Sequence, residues 1–244
     1  MTASPVSASE HATLPPLTGI RACVFDAYGT IFDFASAAAS CPGIPEDRRA
    51  ALTALWRDKQ LQYTWLRALL GRYADFWQIT ADSLDYALDS LDIRTPGLHR
   101  RLMDLYLGLS AFPEVPGMLR ALRQAGFTTA ILSNGAPAML EAAVANAGLT
   151  GLFDAVFSVD PLRTFKPHPS VYRSAVDGLG VTAQEVSFQS SNPWDAHAAS
   201  VCGMRVVWCN RYGQRGERLP GAPDREIRTL AELPACLAPP TLTA

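Results

Sequence analysis

The sequence predicts an α/β fold: a parallel sheet covered by helices, with an all-helical insertion after its first strand. Three observations carry that prediction. Short apolar runs recur along the chain and each ends in a polar turn; helical stretches lie between them, with Pro near the start and Gly just past the end; and from about Asp33 to Ala111 the alternation stops. Strands alternating with helices of about ten residues imply βαβ units and therefore a parallel sheet.

In chain order, the first run is Ile20 to Phe25 (IRACVF), which reads as a buried strand with Asp26 at its carboxyl tip and a Tyr-Gly turn behind it. The same grammar recurs at Thr128 to Leu132 before Ser-Asn-Gly, and at Ala155 to Val159 before Asp-Pro. It returns at Glu185 to Gln189 before Ser-Ser-Asn-Pro, and at Met204 to Trp208 before Cys-Asn, so five strands are expected. Helices are expected at Pro116 to Ala125, Pro137 to Ala147, Pro169 to Asp177 and Pro193 to Cys202. Gly126, Gly148 and Gly203 stop the first, second and fourth of them, the usual asymmetry of helix ends. Within the insertion, a long helix is expected from about Glu46 to Tyr73, a second capped by Thr80, and a third opened by Thr95 and Pro96. The resulting division is a loose N-terminal extension (1–17), a core (18–32 and 112–235), a helical cap (33–111) and a C-terminal tail (236–244). An Ala-rich stretch at Ala35 to Ser40 and a Pro-rich tail near Pro239 are the only biased segments.

Composition narrows the function classes. The chain has 244 residues, 48% apolar and 18% charged, which suits a globular protein with a real core. Its 23 acids against 21 bases give a net charge of -2 with no Lys/Arg stripe, which argues against nucleic acid as a partner. Five cysteines (Cys23, Cys41, Cys202, Cys209, Cys236) form no CxxC pair, so reduced thiols in a cytoplasmic protein fit better than a disulfide framework or structural zinc. The first 17 residues lack the basic and apolar regions of a signal peptide. No apolar run approaches the roughly 18 residues needed to span a membrane.

In a parallel sheet, ligands bind beyond the carboxyl ends of the strands. Four segments there carry chemistry: FDAYGT (Phe25 to Thr30), SNG (Ser133 to Gly135), FKP (Phe165 to Pro167) and SSNPWD (Ser190 to Asp195). Any one has a bland reading, since a strand-end Asp can cap a helix, Ser and Thr at such junctions are often caps, and a loop Lys normally extends into water. Together they offer a carboxylate nucleophile (Asp26), a cation for anionic groups (Lys166) and polar groups that can handle water. A Mg²⁺ site wants several hard oxygen ligands, including carboxylates. Here Tyr28 stands two residues after Asp26, and Ser190, Ser191 and Asn192 precede the single Asp195 of the last loop, so no metal and no other cofactor is expected. The histidines (His11, His99, His168, His197) form no site, and Gln189 puts a polar side chain where a strand is usually apolar.

The forms DAYGT, ALWRDKQLQYTWLR, ILSNG, FKP with the following Val171-Tyr172, and SSNPWD resemble the haloacid dehalogenase superfamily, and within it the L-2-haloacid dehalogenase branch, over about Ile20 to Asn210. The resemblance implies a Rossmann-like parallel-sheet core (haloacid dehalogenase-like fold) with an inserted helical cap, and hydrolytic removal of halide from small L-2-haloacids through an ester on Asp26. It makes Arg57 and Asn134 the halide cradle with Phe76 as an apolar wall, where a cap-helix arginine would otherwise be a surface residue. It assigns Lys166 to hold Asp26 ionised, Thr30 to support it, and Tyr172 and Ser190 to partner the lysine region. Ser133 is implied to bind the substrate carboxylate, Asn192 and Asp195 to position water, and Tyr28, Leu61 and Trp194 to line the pocket. A homodimer through the cap is implied as well. The rivals are a Mg²⁺-dependent phosphatase or phosphonatase of the same superfamily, disfavoured by its missing acids, and a catalytically silent binding protein, disfavoured by the intact Asp26, Lys166 and Asp195 set.

Overall fold

The structure, a computed structural model, describes residues 14–34 and 41–240. Most of the expected N-terminal extension, the Ala-rich 35–40 stretch and the last four residues of the tail lie outside them. Six parallel strands run β1 (Ala22–Phe25), β2 (Thr128–Ser133), β3 (Ala155–Ser158), β4 (Val186–Ser190), β5 (Arg205–Cys209) and β6 (Arg225–Ile227), in the spatial order β3-β2-β1-β4-β5-β6. Every residue of β1 and β4 is buried, as a central strand covered on both faces requires.

The expected five strands are present, and a sixth corrects the count. β6 is three residues of mixed polarity at the sheet edge, REI, too short and too charged to show an apolar run. Leu17, at the end of the expected extension, is buried and pairs through its backbone with Cys236 and Ala238. Helices α4 (Val115–Gln124), α5 (Pro137–Asn146), α6 (Pro169–Leu179) and α7 (Pro193–Val201) follow the Pro-start pattern.

Three helices stand between β1 and β2 in sequence: α1 (Glu46–Leu69), α2 (Phe76–Ser90) and α3 (Leu98–Leu105). Thr80 does not cap α2, as the sequence suggested. The cap is Asp75, whose carboxylate accepts from the Gln78 amide at 2.8 Å, while Thr80 lies one turn inside and fully buried. Its hydroxyl donates to the Phe76 carbonyl (2.6 Å) and accepts from Gln60 Nε2 (2.8 Å), and Gln60 also donates to the Tyr106 hydroxyl (3.0 Å). A mid-helix threonine is thus satisfied by its own i−4 carbonyl and a neighbouring helix, which sequence pattern alone cannot distinguish from capping. Gly97, two residues after Thr95, precedes α3.

The chain leaves the sheet and returns to it through one narrow crossing. Phe32 bridges Ala111, the Asp33 amide donates to the Ser110 carbonyl (2.9 Å), and the Phe112 amide donates to the Ile31 carbonyl (3.0 Å). The helical segment therefore sits directly over the carboxyl tip of β1.

Candidate active site

Asp26 follows the last residue of β1 and stays in register: its amide donates to the Gln189 carbonyl of neighbouring β4 at 2.8 Å. That fixes its backbone, and the polar loops on either side supply its side-chain partners. Lys166 Nζ donates to Asp26 Oδ1 (3.1 Å) and to Asp195 Oδ2 (2.9 Å). Thr30 Oγ1 (3.0 Å) and Asn192 Nδ2 (2.9 Å) both donate to Asp26 Oδ2. Asp195 Oδ1 accepts from the Tyr172 hydroxyl at 2.6 Å.

The electrostatics follow from burial. Lys166 is only 1% exposed, which by itself opposes its charge, but the two carboxylates outweigh that and raise its pKa above the ordinary lysine value. Asp195 is fully buried, and desolvation together with the neighbouring Asp26 raises its pKa despite the ammonium beside it. Burial, and then Asp195, pushes the Tyr172 phenol well up, so it donates as a neutral hydroxyl.

A second tier orients the first. The Ser191 amide donates to Thr30 Oγ1 (2.8 Å), which turns the hydroxyl hydrogen toward Asp26. Ser190 Oγ accepts from the Asn192 amide (3.1 Å), and Tyr172 joins the lysine region through Asp195. Asn134 Oδ1 accepts from the Lys166 amide (2.9 Å), and Ser133 Oγ accepts from the Gly135 amide (3.1 Å), which orients both side chains by their acceptor oxygens.

Arg57 reaches down from α1 and donates through Nη2 to Asn192 Oδ1 at 2.6 Å. It therefore touches the residue that holds Asp26, while Asn134, its implied partner for halide, is held by Lys166. A cavity of ≈ 230 Å³ opens beside this pair, walled by Phe34, Tyr212 and Gln214 among others. Gly29, at φ +85°, makes the turn that lets the loop after Asp26 pass beneath Arg57.

The apolar wall is aromatic. Phe76 stacks on Tyr28 with centroids 5.8 Å apart and lies 6.5 Å from Phe165, itself stacked on Tyr73 at 5.1 Å. Among the described residues the buried Tyr28 hydroxyl has no hydrogen-bond partner, and burial, then Tyr106 and Asp26, keeps the phenol protonated. Half-buried Trp194 meets Trp65 edge-on at 5.5 Å, and Leu61 is half-buried on α1. Trp65, Phe165 and Pro167 line a further cavity of ≈ 330 Å³ on the lysine side.

Sequence reasoning did not single out Phe165, Tyr73, Trp65 or Gly135. Phe165, Trp65 and Gly135 lay inside quoted motifs whose polar residues drew the attention, and Tyr73 stood only at the end of the expected long helix. Among the described residues, no group of three or more His, Cys, Asp or Glu side chains is placed to hold a metal ion.

The haloacid dehalogenase-like hydrolase family model matches residues 20–203. The chain is similar to (S)-2-haloacid dehalogenase 1 of Pseudomonas sp. (strain CBS-3), 45% identical over 223 residues, covering 89% of this chain and 96% of the relative. It is also similar to haloacetate dehalogenase H-2 of Moraxella sp. (strain B), 41% identical, covering 84% and 92%. Among solved structures, it is similar to the L-2-haloacid dehalogenase of Xanthobacter autotrophicus with chloropropionic acid covalently bound, with TM-score 0.82, 41% identity, and 88% and 97% of the two chains covered.

Proposed function

The chain belongs to the haloacid dehalogenase-like hydrolase family, in its (S)-2-haloacid dehalogenase branch, and from that premise we propose that it hydrolyses small L-2-haloacids to D-2-hydroxyacids and halide through an ester on Asp26. The observation that carries this reading is the buried ammonium of Lys166 shared between Asp26 and Asp195, with Thr30 and Asn192 on the nucleophile's other oxygen.

The substrate carboxylate binds to the Ser133 hydroxyl and nearby donors, which places C2 before Asp26. The Asp26 carboxylate then attacks C2, the carbon–halogen bond breaks, and halide departs toward Arg57 and the Asn134 amide. Halide is a weakly basic anion and requires no proton, so no acid is spent on the leaving group. Attack opposite the leaving group inverts C2. Water, placed by Asn192, next attacks the carbonyl of the Asp26 ester. Asp195, made more basic by burial, takes the water proton through the Lys166 cluster. The C–O bond between the Asp26 carbonyl carbon and the substrate oxygen then breaks, the alkoxide takes the proton back from Asp195 through the same cluster and leaves as the hydroxyacid, and the Asp26 carboxyl gives up its remaining proton to solvent.

The ammonium between the two carboxylates supplies the positive charge that a metal supplies in phosphoryl-transferring relatives. Tyr28, stacked against Phe76, fills the position a second carboxylate would need, which disfavours the phosphatase reading. The exposed leucines at the end of α1, Leu66, Leu69 and Leu70, support a homodimer through the cap (33–111). All five cysteines are free, in keeping with a cytoplasmic protein. No helix of the described residues is long and apolar enough to cross a membrane.

The test is halide release from L- and D-2-chloropropionate with and without EDTA, coupled to a single turnover in H₂¹⁸O. Release from the L-form alone, undiminished by chelator, with ¹⁸O in the Asp26 peptide and none in the first product, is the expected result. Label in the first product with unlabelled protein would show direct attack of water on C2 and overturn the covalent role of Asp26.

A further inference from the structure

We infer that Arg211 is a positioning residue for the nucleophile, acting through the Thr30 carbonyl. Its guanidinium lies where the nucleophile loop, the return segment of the cap and the loop after β5 meet. Nη2 donates to the Thr30 carbonyl at 3.1 Å, Nη1 pairs with Glu114 Oε1 at 2.5 Å, and the cation sits 3.9 Å above the Phe112 ring centroid.

The chain of contacts to the reacting atoms is short. Thr30 donates its hydroxyl to Asp26 Oδ2, so fixing the Thr30 peptide fixes the direction of that hydrogen bond. The next peptide is tied to the same return segment, since the Phe112 amide donates to the Ile31 carbonyl at 3.0 Å. One side chain therefore fastens the loop that carries Asp26 to the segment that returns from the cap, and the cap carries Arg57. The anchor is itself braced: Asn210 Nδ2 donates to Glu226 (2.7 Å) and to the Gln214 carbonyl (2.9 Å), and Arg228 donates to the Asn210 carbonyl (3.3 Å).

The chemistry calls for a guanidinium in particular. Its planar fork reaches a carbonyl and a carboxylate in different directions while its face covers an aromatic ring; a single ammonium cannot do all three. The side chain is only 9% exposed, and among the described residues its Nε has no hydrogen-bond partner.

The experiment compares Arg211→Met, Arg211→Lys and Glu114→Gln, following ester formation on Asp26 by mass spectrometry in single turnovers alongside steady-state kinetics. The inference rests on the covalent reading, and the wild-type adduct in the same experiment reports on that reading separately. A misplaced attacking group slows chemistry without weakening carboxylate binding, so Arg211→Met should lower kcat and the rate of ester formation by roughly 10- to 100-fold, with KM changed by less than about threefold. Arg211→Lys should recover only part of the loss. Glu114→Gln leaves the Thr30 contact in place, so it should lower Tm while kcat stays within about twofold. If the folded Arg211→Met protein, or Arg211→Lys should the former not fold, forms ester at the wild-type rate, the inference is wrong. It is equally wrong if their kcat falls no further than that of Glu114→Gln, because Arg211 would then be only a structural ion pair.

Discussion

Replacing Lys166 with Met removes the one cation between two buried carboxylates while keeping most of the side chain's apolar volume. The ammonium lies 3.1 Å from Asp26 Oδ1 and 2.9 Å from Asp195 Oδ2, with 1%, 10% and 0% exposure of the three side chains. At an effective dielectric of about 20, each contact near 3 Å is worth about 5 kcal/mol before solvation is counted. Desolvation offsets most of that in the intact cluster, but losing one partner leaves the others uncompensated, at about 3–5 kcal/mol. For a chain of this size the loss corresponds to a fall in Tm of roughly 6–20 °C. The pH dependence gives the sharper check. Without the ammonium, Asp195 loses the neighbouring charge that lowers its pKa and rises further above the unfolded chain's ordinary carboxylate value of about 4. A folded pKa raised in this way leaves stability intact below about pH 4 and removes it as pH rises through the raised value. In the parent protein Asp195 is already raised, whereas the raised pKa of Lys166 affects stability only above its ordinary value near 10.5. The difference between variant and parent should therefore grow from pH 5 to pH 8, read by thermal and urea denaturation at both. Turnover should fall by at least about 100-fold, the scale of losing one aligned electrostatic group. A difference that is independent of pH, or below about 1 kcal/mol as for an exposed pair, would refute the reasoning.

Three further outcomes follow from the same geometry. Arg57→Lys should impair turnover by roughly 10-fold or more, since an ammonium at that helix position cannot keep both the Asn192 contact and a halide; rates equal to the parent's would return Arg57 to a solvated role. Asp195→Ala should allow the ester to form but slow its breakdown, so that intact-mass measurement shows protein heavier by one acyl adduct after substrate is added; a variant that turns over without adduct would remove Asp195 from the hydrolytic step. Gly135→Ala should raise KM, because a Cβ there would sit 2.9 Å from the Tyr28 hydroxyl and displace the aromatic wall; an unchanged KM would show that this wall does not touch substrate.

Much of the fold was legible because its signals are local. An apolar run closed by Asp-Tyr-Gly, Ser-Asn-Gly or Ser-Ser-Asn-Pro states both a strand and where its carboxyl tip lies, and in a parallel sheet all such tips share one edge. Asp26, Asn134 and Asn192 could thus be placed together before any distance was known. β6 could not, because three residues at an edge carry no run to detect. Thr80 was misplaced because a threonine that caps and one that bonds back to its own helix look alike in sequence.

What the sequence by itself determined is the set of polar side chains at the strand tips and the edge on which they gather. What only the tertiary structure decided is how they are partnered. Asp195 stands behind Lys166 with both oxygens engaged, Arg57 rests on Asn192 rather than Asn134, and Arg211 reaches 181 positions back along the chain to the Thr30 carbonyl. Those partnerships depend on the spatial strand order, which sets β1 between β2 and β4 and so brings loops far apart in sequence to one carboxylate. The periodicity of side chains along a strand or helix records which face is buried; it holds no information about which distant loop will meet that face.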